Sequence, residues 1–126
     1  MKQILVGTFL LGNENVDLYA LPDETGGEFY FCPDARSTPR IKIGLNQKEW
    51  EQCVGVLLHE SFEFAMARHR ARFVRCGKYN GDHADYLFVF DHPAFSSVCS
   101  DVASFITPAL PLLATIYGKR RRSRKG

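Results

Sequence analysis

Three features of the sequence predict an α+β domain. β-forming segments separated by turn residues fill the first third, a strongly apolar helical stretch follows from about Gln47, and a second amphipathic pattern begins at His92. The expected architecture is a small antiparallel sheet of three to four strands packed on a buried central helix, with one or two C-terminal helices beside it. A chain of 126 residues is long enough for one hydrophobic core. Residues 1–118 are read as the single domain, and residues 119–126 as a basic, disordered tail.

Gln3 to Leu11 is rich in β-formers, Gly12 to Asn15 marks a turn, and Val16 to Leu21 gives a second strand. Pro22 to Gly27 reads as a loop, Glu28 to Phe31 as a third strand and Cys32 to Pro39 as an irregular connection. Arg40 to Ile43 alternates polar and apolar residues, as a short strand with one buried face does, and is placed at an edge. Together these segments look like an antiparallel meander.

Asn46 followed by Glu49 has the spacing of a capping box, and Leu45 with Trp50 that of a hydrophobic staple, so the central helix is predicted to start near Gln47. Its end is expected near His69, because a helix reaching Cys76 would be about 45 Å long. Arg72 to Lys78 is then extended or irregular, Tyr79 to Ala84 a loop and Asp85 to Phe90 a strand. His92-Pro93 opens a helix with His92 or Asp91 at the cap, Thr107-Pro108 breaks it, and Ala109 to Tyr117 forms a last short helix that Gly118 ends.

Charge is unevenly distributed. Residues 1–118 carry ten basic against fourteen acidic residues, a balance of −4, and the last eight positions add six positive charges. This excludes a domain that is basic throughout. Cys32, Cys53, Cys76 and Cys99 are too widely spaced for a zinc finger or a CxxC pair and read as reduced thiols of a cytoplasmic protein. The opening MKQILVGTFLLG lacks the cleavage site of a signal peptide, and no run reaches the ~18 apolar residues of a membrane span.

The chemistry concentrates in EQCVGVLLHESFEFAMA, Glu51 to Ala67. His59 and Glu63, four apart, share a helix face, and Glu60 lies one residue-step round from His59. A stretch apolar nearly all round is a buried helix, and ionisable groups there need partners. Two kinds suit. One is a metal ion held by His59, Glu63 and a third ligand, taken to be His92 with Asp91, His83 and Asp85 in reserve; Glu60 is then the base that activates a metal-bound water. The other is an arginine (Arg68, Arg70, Arg72 or Arg75) paired with Glu60 or Glu63, which leaves His59 a hydrogen-bonded core histidine.

A capped helix carrying LLHE after a small sheet that ends in an IxI strand resembles the small zincin-like metallopeptidase domains, many of them phage- or prophage-encoded. Their helix reads HExxH, with two zinc-binding histidines and a glutamate that polarises the water. His59 and Glu60 match the first two positions, and Glu63 stands where the second histidine is expected, giving HESFE. The YLFVFDHPAFSSVC stretch is similar to phage proteins in which a histidine follows an apolar strand. The resemblance implies a zinc-dependent hydrolase or a degenerate relative, with a peptide substrate laid along an edge strand, here Arg40 to Ile43.

The alternative function is that of a non-catalytic phage or prophage protein that modulates a host macromolecule. A protein or peptide is the partner expected first. The tail GKRRRSRKG adds nucleic acid as a second partner, by phosphate contact and counterion release, and Arg68 to Lys78 contributes further basic residues. No membrane partner is expected.

Overall fold

The computed structural model describes residues 2–31, 38–70, 72–74 and 86–125. The order is β1 (Ile4–Leu11), β2 (Glu14–Leu21), β3 (Gly27–Tyr30), β4 (Arg40–Gly44), α1 (Trp50–Arg68), β5 (Arg72–Val74), β6 (Tyr86–Phe88) and α2 (His92–Lys125). The first four strands make one sheet in the order β1-β2-β4-β3, and β5 and β6 pair antiparallel by themselves. This is the α+β fold expected, with the two helices on one face of the sheet.

Side-chain alternation fixes which face is covered. Val16, Leu18 and Ala20 of β2 and Ile41 and Ile43 of β4 are fully buried, while Asp17, Tyr19 and Lys42 between them point outward. β1 changes parity midway. Ile4 packs on the core before a register irregularity between Leu5 and Gly7, Val6 within it, and Phe9 and Leu11 after it. One extra residue thus keeps the whole strand's apolar side inward.

The meander expected from the sequence does not form. β4 inserts between β2 and β3, parallel to β2 and antiparallel to β3. Arg40–Gly44 is therefore an interior strand, and the edges are β1 and β3. The 22–26 loop makes the insertion possible by wrapping the end of β4: Gly44 N–H donates to Gly26 O at 2.7 Å, Leu45 N–H to Leu21 O and Asn46 N–H to Glu24 O, both at 2.9 Å. A Cβ on Gly44 would stand 2.4 Å from Glu24 O, so only glycine lets the loop close.

α1 starts three residues later than expected. Asn46 is drawn off by Arg120 Nη2, which donates to Asn46 Oδ1 at 2.7 Å. Glu49 becomes the cap, its N–H bonded to Gln52 Oε1 at 2.9 Å. The helix ends with His69 at its C-cap, as expected. Nor is it buried all round. Cys53, Leu57, Glu60, Ser61, Phe64 and Ala65 face inward, whereas Gly55, Leu58 and His59 form an exposed strip.

The two expected C-terminal helices are one. Val98, Val102, Phe105, Ile106, Ala109, Leu113 and Tyr117 form a continuous buried stripe at helical spacing. Pro108 and Pro111 lie on the opposite, exposed face, where solvent can satisfy carbonyls left without N–H donors. Burying Phe105 and Leu113 is worth ~1.5–3 kcal/mol each, against ~3 kcal/mol for an interior proline. Nor does Gly118 end the helix, which runs to Lys125, so the part of the tail up to that residue is helical rather than disordered. Arg120 Nε donates to Pro22 O at 2.9 Å, Arg121 Nη1 to Lys48 O at 3.0 Å and the Tyr117 hydroxyl to Gln47 O at 3.1 Å. Judged by length and composition alone, His92–Ser123 is apolar enough to cross a membrane, which no run in the sequence had suggested. Core helices pass the same test, and this one supplies a buried stripe to the core.

Candidate metal site on the central helix

α1 lies over β4 and β3, and α2 over β1 and β2. The helices run antiparallel: Trp50 meets Tyr117 (ring centroids 5.4 Å apart) at one end, and His69 Nε2 meets Asp101 Oδ2 at 2.9 Å at the other. His59 sits midway along α1, where the helix turns from the sheet towards the open face.

Helical periodicity gathers His59, Glu60 and Glu63. His59 Nε2 is 3.2 Å from Glu63 Oε2 and 3.8 Å from Glu60 Oε2, and one ligand atom from each residue lies within 4.8 Å of the others. The imidazole is 73% exposed, whereas the Glu60 and Glu63 side chains are 8% and 14% exposed. Two inward carboxylates thus stand under an accessible ring nitrogen. Gly27 of the edge strand β3 permits this packing, since a Cβ there would lie 2.7 Å from Val56 Cγ1 and 3.0 Å from Glu60 Cγ.

The donor set suits a divalent transition ion. Zinc bonds nitrogen and carboxylate oxygen at about 2.0–2.2 Å, so tetrahedral ligand atoms stand roughly 3.3–3.6 Å apart. The separations of 3.2 and 3.8 Å bracket that range. With three protein donors and an exposed imidazole, a fourth position would open to solvent.

His92 is not part of this group. It is exposed at the first position of α2, and the helix pairing explains why. Asp101 lies level with the end of α1, and His92 stands nine residues, about 13 Å, beyond it. His59 is ten residues back from His69 in the opposite direction. Asp91 caps α2, accepting from Ala94 N–H through Oδ1 at 2.9 Å. His83 and Asp85 lie outside the described residues. Glu60, expected as a base, is instead the third member of the group that could hold an ion.

Of the arginines offered as partners, Arg68 is committed elsewhere, to Glu14 and Asn13 at the β1–β2 turn. Arg70 is exposed with a positive φ of 57°. The side chains of Arg72 and Arg75 lie outside the described residues.

Beside His59 the open face continues as an apolar cleft formed by Leu58, Phe62, Met66 and Phe88. Val89, Phe90 and Phe95 are exposed nearby in sequence, and the Phe90 and Phe95 rings stack 5.4 Å apart. No family model, curated protein or solved structure matches the chain.

Proposed function

We propose that this chain is a small zincin-like metal-binding protein of the phage or prophage type, holding one zinc ion through His59, Glu60 and Glu63. The observation that carries the reading is the convergence of one imidazole and two carboxylates within 4.8 Å on one helix. The same geometry favours a degenerate relative over a peptidase. A carboxylate that ligates the ion is not available as its general base, and two anionic ligands weaken the ion as a Lewis acid. The thiols of Cys53 and Cys99, both free, fit a reducing cytoplasm.

Zinc titration followed by native mass spectrometry and thermal melting tests the proposal. Wild type is expected to take up one equivalent and to gain about 2.7 kcal/mol at a zinc concentration 100 times Kd. Glu63→Ala and His59→Ala lose both effects, and His92→Ala keeps them. A folded wild type that binds no zinc sinks the proposal.

A second reading rests on a separate observation. Leu58 and Phe88 line one apolar cleft and the exposed Val89, Phe90 and Phe95 follow Phe88 in the chain, apolar exposure of the kind that docks a protein. On this reading the chain modulates a host macromolecule without catalysis, and the trio is a structural cluster. Loss of fold in His59→Ala with no response to zinc would favour it.

A further inference from the structure

A different part of the molecule carries a second binding function. We propose that the cleft between the start of β1 and the far end of α2 seats the phosphate head of an acidic phospholipid, and so docks this end of the protein on an anionic membrane surface. Lys2, Lys119 and Arg120 line the cleft together with Ile4, Pro22 and Ile116. Ser123 adds a hydroxyl, and no acidic residue is among the lining residues described.

The cations come from both ends of the chain. Lysine and arginine at the end of a helix are ordinarily explained by the helix dipole. That explanation places Lys119 and Arg120 but not Lys2, which β1 brings to the same cleft, nor the isoleucines between them. Arg120 is also held in position before any ligand arrives. Its Nε donates to Pro22 O at 2.9 Å and its Nη2 to Asn46 Oδ1 at 2.7 Å, and neither bond uses Nη1. A guanidinium fixed in this way loses little freedom when it meets an anion.

The mixed lining decides the class of ligand. Three cations complement a phosphate, and Ile4, Pro22 and Ile116 complement the apolar part of the same molecule. Single-stranded nucleic acid would be gripped by aromatic side chains stacked on its bases, and the lining residues described include none. Arg122, exposed one turn from Lys119, extends the positive surface and supplies longer-range attraction to an acidic leaflet.

Vesicle flotation with the full chain tests this, using phosphatidylcholine alone and phosphatidylcholine mixed with phosphatidic acid. Wild type is expected to float with the acidic vesicles only and to be released by high salt. Lys2 and Lys119 are exposed, so the Lys2→Ala/Lys119→Ala double variant should fold normally, which melting verifies. It is expected to bind about 25-fold more weakly, at about fivefold per basic residue removed. Arg70→Asn/Lys48→Ala removes the same charge from exposed positions outside the cleft and is expected to bind severalfold tighter than the cleft variant. Three results would overturn the proposal: equal loss in the two double variants, equal binding to neutral vesicles, or binding to a single-stranded oligonucleotide without binding to acidic vesicles.

Discussion

The two helices cover the same face of one sheet but place their unsuitable residues on opposite sides. α2 turns Pro108, Pro111 and the exposed Lys119 and Arg122 to solvent, and spends Arg120 and Arg121 on backbone carbonyls. α1 carries Glu60, Ser61 and much of Glu63 inward, next to Phe64 and under Gly27. Departures from helix chemistry on a solvated face are tolerated because water and packing absorb them. Departures on a buried face are tolerated only where partners compensate them, and on α1 they gather His59, Glu60 and Glu63 in one place.

Breaking the packing of α2 should produce the largest effect. Phe105 is fully buried and meets Phe9 edge-on, with centroids 5.9 Å apart. Phe105→Ala is expected to cost about 3–5 kcal/mol in urea unfolding, a large share of the ~5–15 kcal/mol that holds a domain together. A loss under about 1 kcal/mol would mean that α2 does not depend on its stripe.

Next in size, Pro108→Ala should act in the opposite direction. It restores a helical N–H on the exposed face at a position where proline costs ~3 kcal/mol, less up to ~1 kcal/mol of unfolded-state rigidity. A gain of about 2 kcal/mol is expected in the same assay. Destabilisation instead would show that the prolines shape the helix to fit the sheet.

The sheet and the end of α1 were legible because their signals are local: alternation in β2 and β4, and helical spacing up to His69. What escaped the sequence depends on distant partners. Asn46 has the chemistry of a cap, but Arg120, 74 residues away, takes its side chain. The placement of β4 between β2 and β3 is set by how one loop closes around Gly44, which strand patterns do not encode. Thr107-Pro108 reads as a break until the buried stripe on the far side of the helix is counted. The trio was half legible. Spacing places His59 and Glu63 together, but His92, expected beside them, is carried away by the pairing of the helices.

The narrowest effect, confined to alkaline pH, concerns Cys53. Burial pushes its thiol from the ordinary 9.0 up to about 11, against a smaller opposing pull from Arg120. Between those values the unfolded chain loses this proton and the folded protein keeps it, so stability is full below about pH 9 and falls as pH rises towards 11. Cys53→Ala should flatten that part of the stability profile, and an unchanged slope would remove Cys53 as its source.

Anomalous diffraction at the zinc edge, from crystals of the zinc-loaded protein, tests the central claim most directly. The account predicts a single strong peak about 2.0–2.2 Å from His59 Nε2 and from a carboxylate oxygen of each of Glu60 and Glu63. A peak elsewhere, or none beside His59 in a well-ordered α1, would contradict it.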